Sequence, residues 1–185
     1  VIPTLPLRPR NRLAETILTA LHDPAARQVL QALSAEDTAR EWLAGDEARW
    51  APALAERARA ASAALHDEPL RAHGGDLAQA LAAAAALFDA ALYFEVHEVL
   101  EPHWVVAVGE AREALQGLIQ VAVGWQHLAN GNLAGARSLL VEGSRRLRGA
   151  GLPGLPLDAF ARAAVGAAEA VAAGRPAVPP RFPRA

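Results

Sequence analysis

Cysteine, methionine and lysine are absent from the 185 residues. Without cysteine there is no disulfide framework, no zinc ribbon and no thiol nucleophile. All 18 cations are arginines, and against 20 carboxylates they leave a formal net charge of −2. That balance gives no electrostatic reason for nucleic acid to bind. Three isoleucines and four threonines leave little of what strands are made from. Long hydrophobic runs are missing as well. Leu77–Phe88 and Ala114–Trp125 are the most apolar stretches, and both contain glutamine. Each covers about twelve residues, short of the roughly 20 that a bilayer span needs. Val1–Arg10 carries prolines and arginines where a signal peptide has its apolar stretch. These absences point to a soluble cytoplasmic protein with no membrane partner. No phosphate-binding loop, dinucleotide glycine motif or serine-centred elbow occurs.

What is present is alanine, at 46 residues, within a hydrophobic fraction of 52%. Alanine is the best helix former, so the predicted fold class is all-α, a multihelical bundle of antiparallel hairpins with no sheet. Residues 1–10 read as an extended arm with three prolines, followed by a helix over 11–21. Asp23-Pro24 opens a helix to about Leu33, and Ser34 with Asp37 reads as a capping box for one ending near Leu43. Asp46 is expected to cap a long helix through Leu65. The polar stretch 66–75 marks a boundary. It divides an N-terminal part (1–75) from a helical core (76–174), which a Pro-rich tail (175–185) follows. Asp76 caps the first core helix. Further helices are expected over 93–106, 111–129, 133–147 and 157–173, and an extended, mobile tail after Gly174. Phe88–Tyr93 can be laid over Leu128–Leu133 at a period of 40, which suggests two stacked helical hairpins in one bundle.

The densest chemistry lies in Tyr93-Phe-Glu-Val-His-Glu-Val-Leu-Glu101. On a helical wheel Val99, Val96, Leu100, Tyr93 and Trp104 sweep one apolar arc. His97 and Glu101 fall between that arc and Phe94. This predicts that both point inward, that Glu98 is marginal and that Glu95 faces water. In the helix over 111–129 the polar residues Gln116, Gln120 and His127 share an arc of about 40°. Gly117 and Gly124 lie beside that arc and allow something to approach closely. Hairpin register then brings Gln116 and Gln120 within reach of His97 and Glu101, with His127 near the Tyr93 end. Two readings fit such a cluster. In one it is a buried structural network, since buried His and Glu must be paired. In the other, His97 and Glu101 at i, i+4 bind one divalent cation and Glu98 acts as base, as in metal-dependent hydrolysis. Tyr93, Trp104, Gln116, Gln120 and His127 would then line the pocket around the metal.

The stretch Tyr93–Glu101 with Trp104, then Leu115-Gln-Gly-Leu-Ile-Gln120, His127, Gly131-Asn132 and Gly135-Ala136, resembles the prokaryotic domain-of-unknown-function family 309. The resemblance covers about residues 76–150 and leaves 1–66 outside. It implies an all-helical fold, and, since the family is labelled a metal-dependent hydrolase, a metal site with His97 and Glu101 as ligands and Glu98 as base. The family's characteristic residues also fall on Trp104, Gln116, Gln120 and His127. Two departures stand out: Ala91 occupies the place of a turn glycine, and Pro102-His103 follows Glu101. The alternative function is a non-enzymatic helical module, a homodimer or a partner-binding domain, with the polar cluster fixing helix register. That alternative predicts a contiguous exposed apolar patch away from the cluster.

Overall fold

The computed structural model describes residues 4–72, 74–152 and 154–184. Among these the chain forms α1 (Leu7–Thr19), α2 (Pro24–Leu33), α3 (Glu36–Trp42), α4 (Ala51–Leu65), α5 (Leu77–Asp89), α6 (Tyr93–Val106), α7 (Gly109–Ala129), α8 (Leu133–Leu147) and α9 (Leu157–Ala172), with no strand. The fold is all-α, as the alanine content and the apolar spacing predict.

Local chemistry explains most boundaries. Asp23 caps α2 by accepting from Ala25 N at 2.8 Å, with Pro24 at the first helical position. Asp76 caps α5 by accepting from Gln79 N at 2.9 Å. Three expectations differ. First, α1 starts at Leu7, not after residue 10. Pro9 falls in its first turn, where the backbone N–H has no intrahelical partner to lose. Second, Ser34 does not cap α3. Its hydroxyl donates back to Leu30 O at 3.0 Å, and Ala35 stands at the cap. Third, a 3₁₀ turn over Gly45–Trp50 precedes α4. Pro52 would cost a hydrogen bond inside a helix and instead takes the first turn of a new one.

The period of 40 is visible in the backbone. Leu92 N donates to Leu87 O at 2.9 Å, and Asn132 N donates to His127 O at 2.9 Å. Ala91 N reaches Phe88 O, as Gly131 N reaches Leu128 O. Both are Schellman ends, with a left-handed residue between the two helices. Gly131 takes this φ (75°) freely, whereas Ala91 takes it (φ 60°) with a side chain. The two three-residue turns fold α6 back along α5 and α8 back along α7.

α7 packs between α6 and α8, α9 covers α8, and α1–α4 gather on the α5–α6 side. Gly117 and Gly143 touch across the α7–α8 contact, and Gly124 meets Leu140 of α8. What approaches the α7 glycines is therefore α8. One continuous core runs from Leu5 to Phe182. Its aromatic centre is Phe88, edge-on to Tyr93 and Phe160 at 5.1 and 5.6 Å between centroids, with Phe182 at 5.4 Å. Phe182 belongs to the tail, so the tail is not free. Asp89 holds it in place by accepting from Phe182 N at 3.0 Å and pairing with Arg184 at 2.7 Å.

Candidate functional site

The side of α6 expected to face solvent is covered at Glu95. Glu95, expected to face water, is fully buried and pairs with Arg57 of α4, itself 2% exposed. Arg57 Nη2 donates to both oxygens of Glu95, at 3.1 and 2.9 Å. This ion pair ties the N-terminal helices to the core. Sequence reasoning missed it because the wheel of α6 cannot know that α4 lies against it. An arginine on the alanine-rich α4 was the available signal.

His97 and Glu101 do not point inward as expected. Their side chains are 30% and 47% exposed, and Glu98 is 33% exposed. The reason lies in the flanking aromatics. Phe94 and Trp104 stay near the surface with arginines laid over their rings, Arg10 at 4.0 Å and Arg112 at 4.4 Å from the centroids. An aromatic neighbour on the wheel therefore marked a stacked surface ring, not the interior.

The same helix brings three candidate ligands together. His97 Nδ1 lies 3.0 Å from Glu98 Oε1, and His97 Nε2 lies 3.8 Å from Glu101 Oε2. One donor atom from each residue falls within 4.8 Å of the others. Donors across one ion with bonds of about 2.1 Å lie up to about 4.2 Å apart, so small side-chain rotations complete the geometry. One imidazole and two carboxylates suit a divalent cation such as zinc or manganese. Glu98 also lines a cleft of ≈ 560 Å³ between α1 and α6, opposite Glu15 and His22. On its other side Glu98 borders a second hollow with His103, Pro102 and Gln79. Pro102 lies inside α6 and supplies no N–H, which leaves the Glu98 carbonyl without its usual partner.

The remaining candidates are placed apart from this cluster. Among the described residues no hydrogen bond joins Gln116 or Gln120 to His97 or Glu101. Gln120 Oε1 is buried without a partner. His127 sits in the α7–α8 turn, where its Nδ1 accepts from the Asn132 amide at 2.8 Å while Asn132 Oδ1 accepts from Gly135 N. That is a turn-fixing role. Tyr93 is buried, and burial with the nearby Asp89 charge pushes its phenol up to about 12. The Trp104 carbonyl accepts from Arg112 at 2.8 Å, which closes the end of α6. The basic run near Arg145 is ion-paired, Arg145 with Glu142 and Arg146 with Glu113 and Glu142. No helix among the described residues is long and apolar enough to cross a membrane.

No curated protein and no solved structure matches the chain. One family model does, and it spans the second half of α5, all of α6 and α7 and the first half of α8. The part of the chain that carries His97, Glu98 and Glu101, residues 81–139, is thus similar to the family described as Domain of unknown function (DUF309).

Proposed function

We propose that the chain binds a divalent cation through His97 and Glu101, with Glu98 as general base, and acts as a metal-dependent hydrolase. The observation that carries this reading is the meeting of three ligand atoms within 4.8 Å on a solvent-accessible stretch beside a cleft. A buried structural network would have hidden these groups, and they are not hidden. His97 and Glu101 hold the ion from consecutive turns of α6. Glu98 lines the cleft and is the carboxylate positioned to take the proton of an attacking water. A cation held there would supply Lewis acidity and lower the pKa of a bound water.

Metal analysis after loading with zinc or manganese tests this directly. One ion per chain is expected, falling to background in His97→Ala and in Glu101→Ala. A protein that retains no stoichiometric ion after loading ends the hydrolase reading.

A specific observation favours a second reading, a docking module. Val105, Val106 and Val108 are all exposed at the α6–α7 junction. Such a patch is what a homodimer or partner surface would use. Sedimentation across a concentration series decides it: a dimer that Val106→Glu dissociates supports the module, and a monomer throughout removes the homodimer.

A further inference from the structure

A further cavity lies beside the buried ion pair of Arg57 and Glu95. It is bounded by Arg57 of α4, Tyr93 at the start of α6, Trp125 and Leu128 of α7, and Ala177 and Pro179 of the tail. Its volume is ≈ 270 Å³, near the lower end of the roughly 300–1,000 Å³ typical of small-ligand sites.

The polar side chains at this cavity are Arg57, the Tyr93 phenol and Gln126, whose amide already donates to Thr4 Oγ1 at 2.6 Å. Glu95 engages Arg57 only through Nη2, which leaves Nη1 and Nε. No acceptor for either occurs among the described residues. Trp125 is 3% exposed, and its indole N–H is buried without a partner. An oxygen atom brought by a guest would accept from the Arg57 N–H groups that Glu95 leaves free. The walls are flat and apolar. The Tyr93 and Trp125 rings stand 6.4 Å apart at 31°, with Leu128, Ala129 and Pro179 completing the enclosure.

Charge decides what kind of oxygen fits. Arg57 is already neutralised by Glu95, so a carboxylate guest would add a charge that no partner compensates. A neutral carbonyl oxygen accepts the same hydrogen bonds without that cost. We infer that the cavity between Arg57, Tyr93, Trp125 and the C-terminal tail binds a small uncharged planar molecule bearing a carbonyl or amide oxygen. This inference is independent of the metal cluster, since none of His97, Glu98 and Glu101 borders the cavity.

Benzamide is the probe, followed on the full chain through the tryptophan indole N–H resonances. There are four tryptophans, and Trp125→Phe identifies the signal that belongs to the site. Benzamide is expected to move the Trp125 resonance saturably. Benzoate should bind at least tenfold more weakly. Ala129→Leu fills the cavity from α7, in a direction fixed by the helix, and should abolish the shift. The inference is overturned if benzamide leaves the Trp125 resonance in place. It is equally overturned if Ala129→Leu responds like the parent, or if benzoate binds as tightly as benzamide.

Discussion

Glu95 and Glu101 lie six residues apart on one helix and belong to different physical worlds. Glu95 is sealed against Arg57, whereas Glu101 stands half in water. Removing one partner of a buried pair strands the other charge, at about 3–5 kcal/mol. Glu95→Ala should therefore lower unfolding stability by that amount in urea titrations. The double variant Arg57→Leu with Glu95→Leu should recover most of it, because no charge is left unpaired. Glu101→Ala should stay within about 1 kcal/mol of the parent, as exposed pairs do. A loss of several kcal/mol there would return Glu101 to a structural role. Tyr93 supplies a pH signature. Its phenol is held neutral first by burial and then by Asp89, with the pKa raised from 10.0 to about 12. A raised pKa means the contribution is complete below pH 10 and is lost as pH climbs from 10 through 12. Tyr93 is the only tyrosine, so absorbance at 295 nm reads it alone. The midpoint should be near 12 in the folded protein and fall back to about 10 in denaturant.

Elements meet here through small residues. A Cβ on Gly143 would lie 2.8 Å from Gly117 O and 3.0 Å from Val121 N, both backbone atoms of α7. Neither can rotate away, so Gly143→Ala must push α8 off α7, at about 1–3 kcal/mol. Gly166 on α9 has open space around it. Gly166→Ala should raise stability by up to about 1 kcal/mol through helix propensity alone. Equal effects of the two substitutions in thermal melts would contradict the packing account. The two helical hairpins differ at one backbone position, since Ala91 occupies the left-handed site that Gly131 fills in the repeat. Left-handed φ costs a non-glycine residue about 1–2 kcal/mol, and glycine's extra chain entropy offsets part of that relief. Ala91→Gly should therefore stabilise the protein modestly, by under about 1 kcal/mol; a fall in melting temperature would show that the Ala91 methyl packs usefully.

At the scale of the molecule, segments outside the family match complete the core. Arg57 comes from α4, Arg10 covers Phe94 from α1, and Phe182 closes the aromatic centre from the tail. Phe182→Ala should cost about 3–5 kcal/mol, like other buried phenylalanines, with a matching drop in the urea midpoint. A near-zero change would mean that the tail is not held as described. Much of this was legible in the chain. Asp23-Pro24 and Asp76 set helix starts by local hydrogen bonding, and the spans expected for α6 and α8 agree with those observed. The candidate site was legible only as a set of residues. His97, Glu98 and Glu101 are neighbours on any α-helix, so their proximity follows from sequence. Their exposure does not, and neither does the burial of Glu95. Helix formation, capping and i, i+4 spacing depend on residues within a turn or two, which is why the sequence alone determined an all-α fold and the grouping of the three candidate ligands. Which face of α6 met water, and which donors were left around the Trp125 cavity, depended on α1, α4 and the tail arriving from tens of residues away. No local period encodes that arrival, so only the tertiary structure decided it.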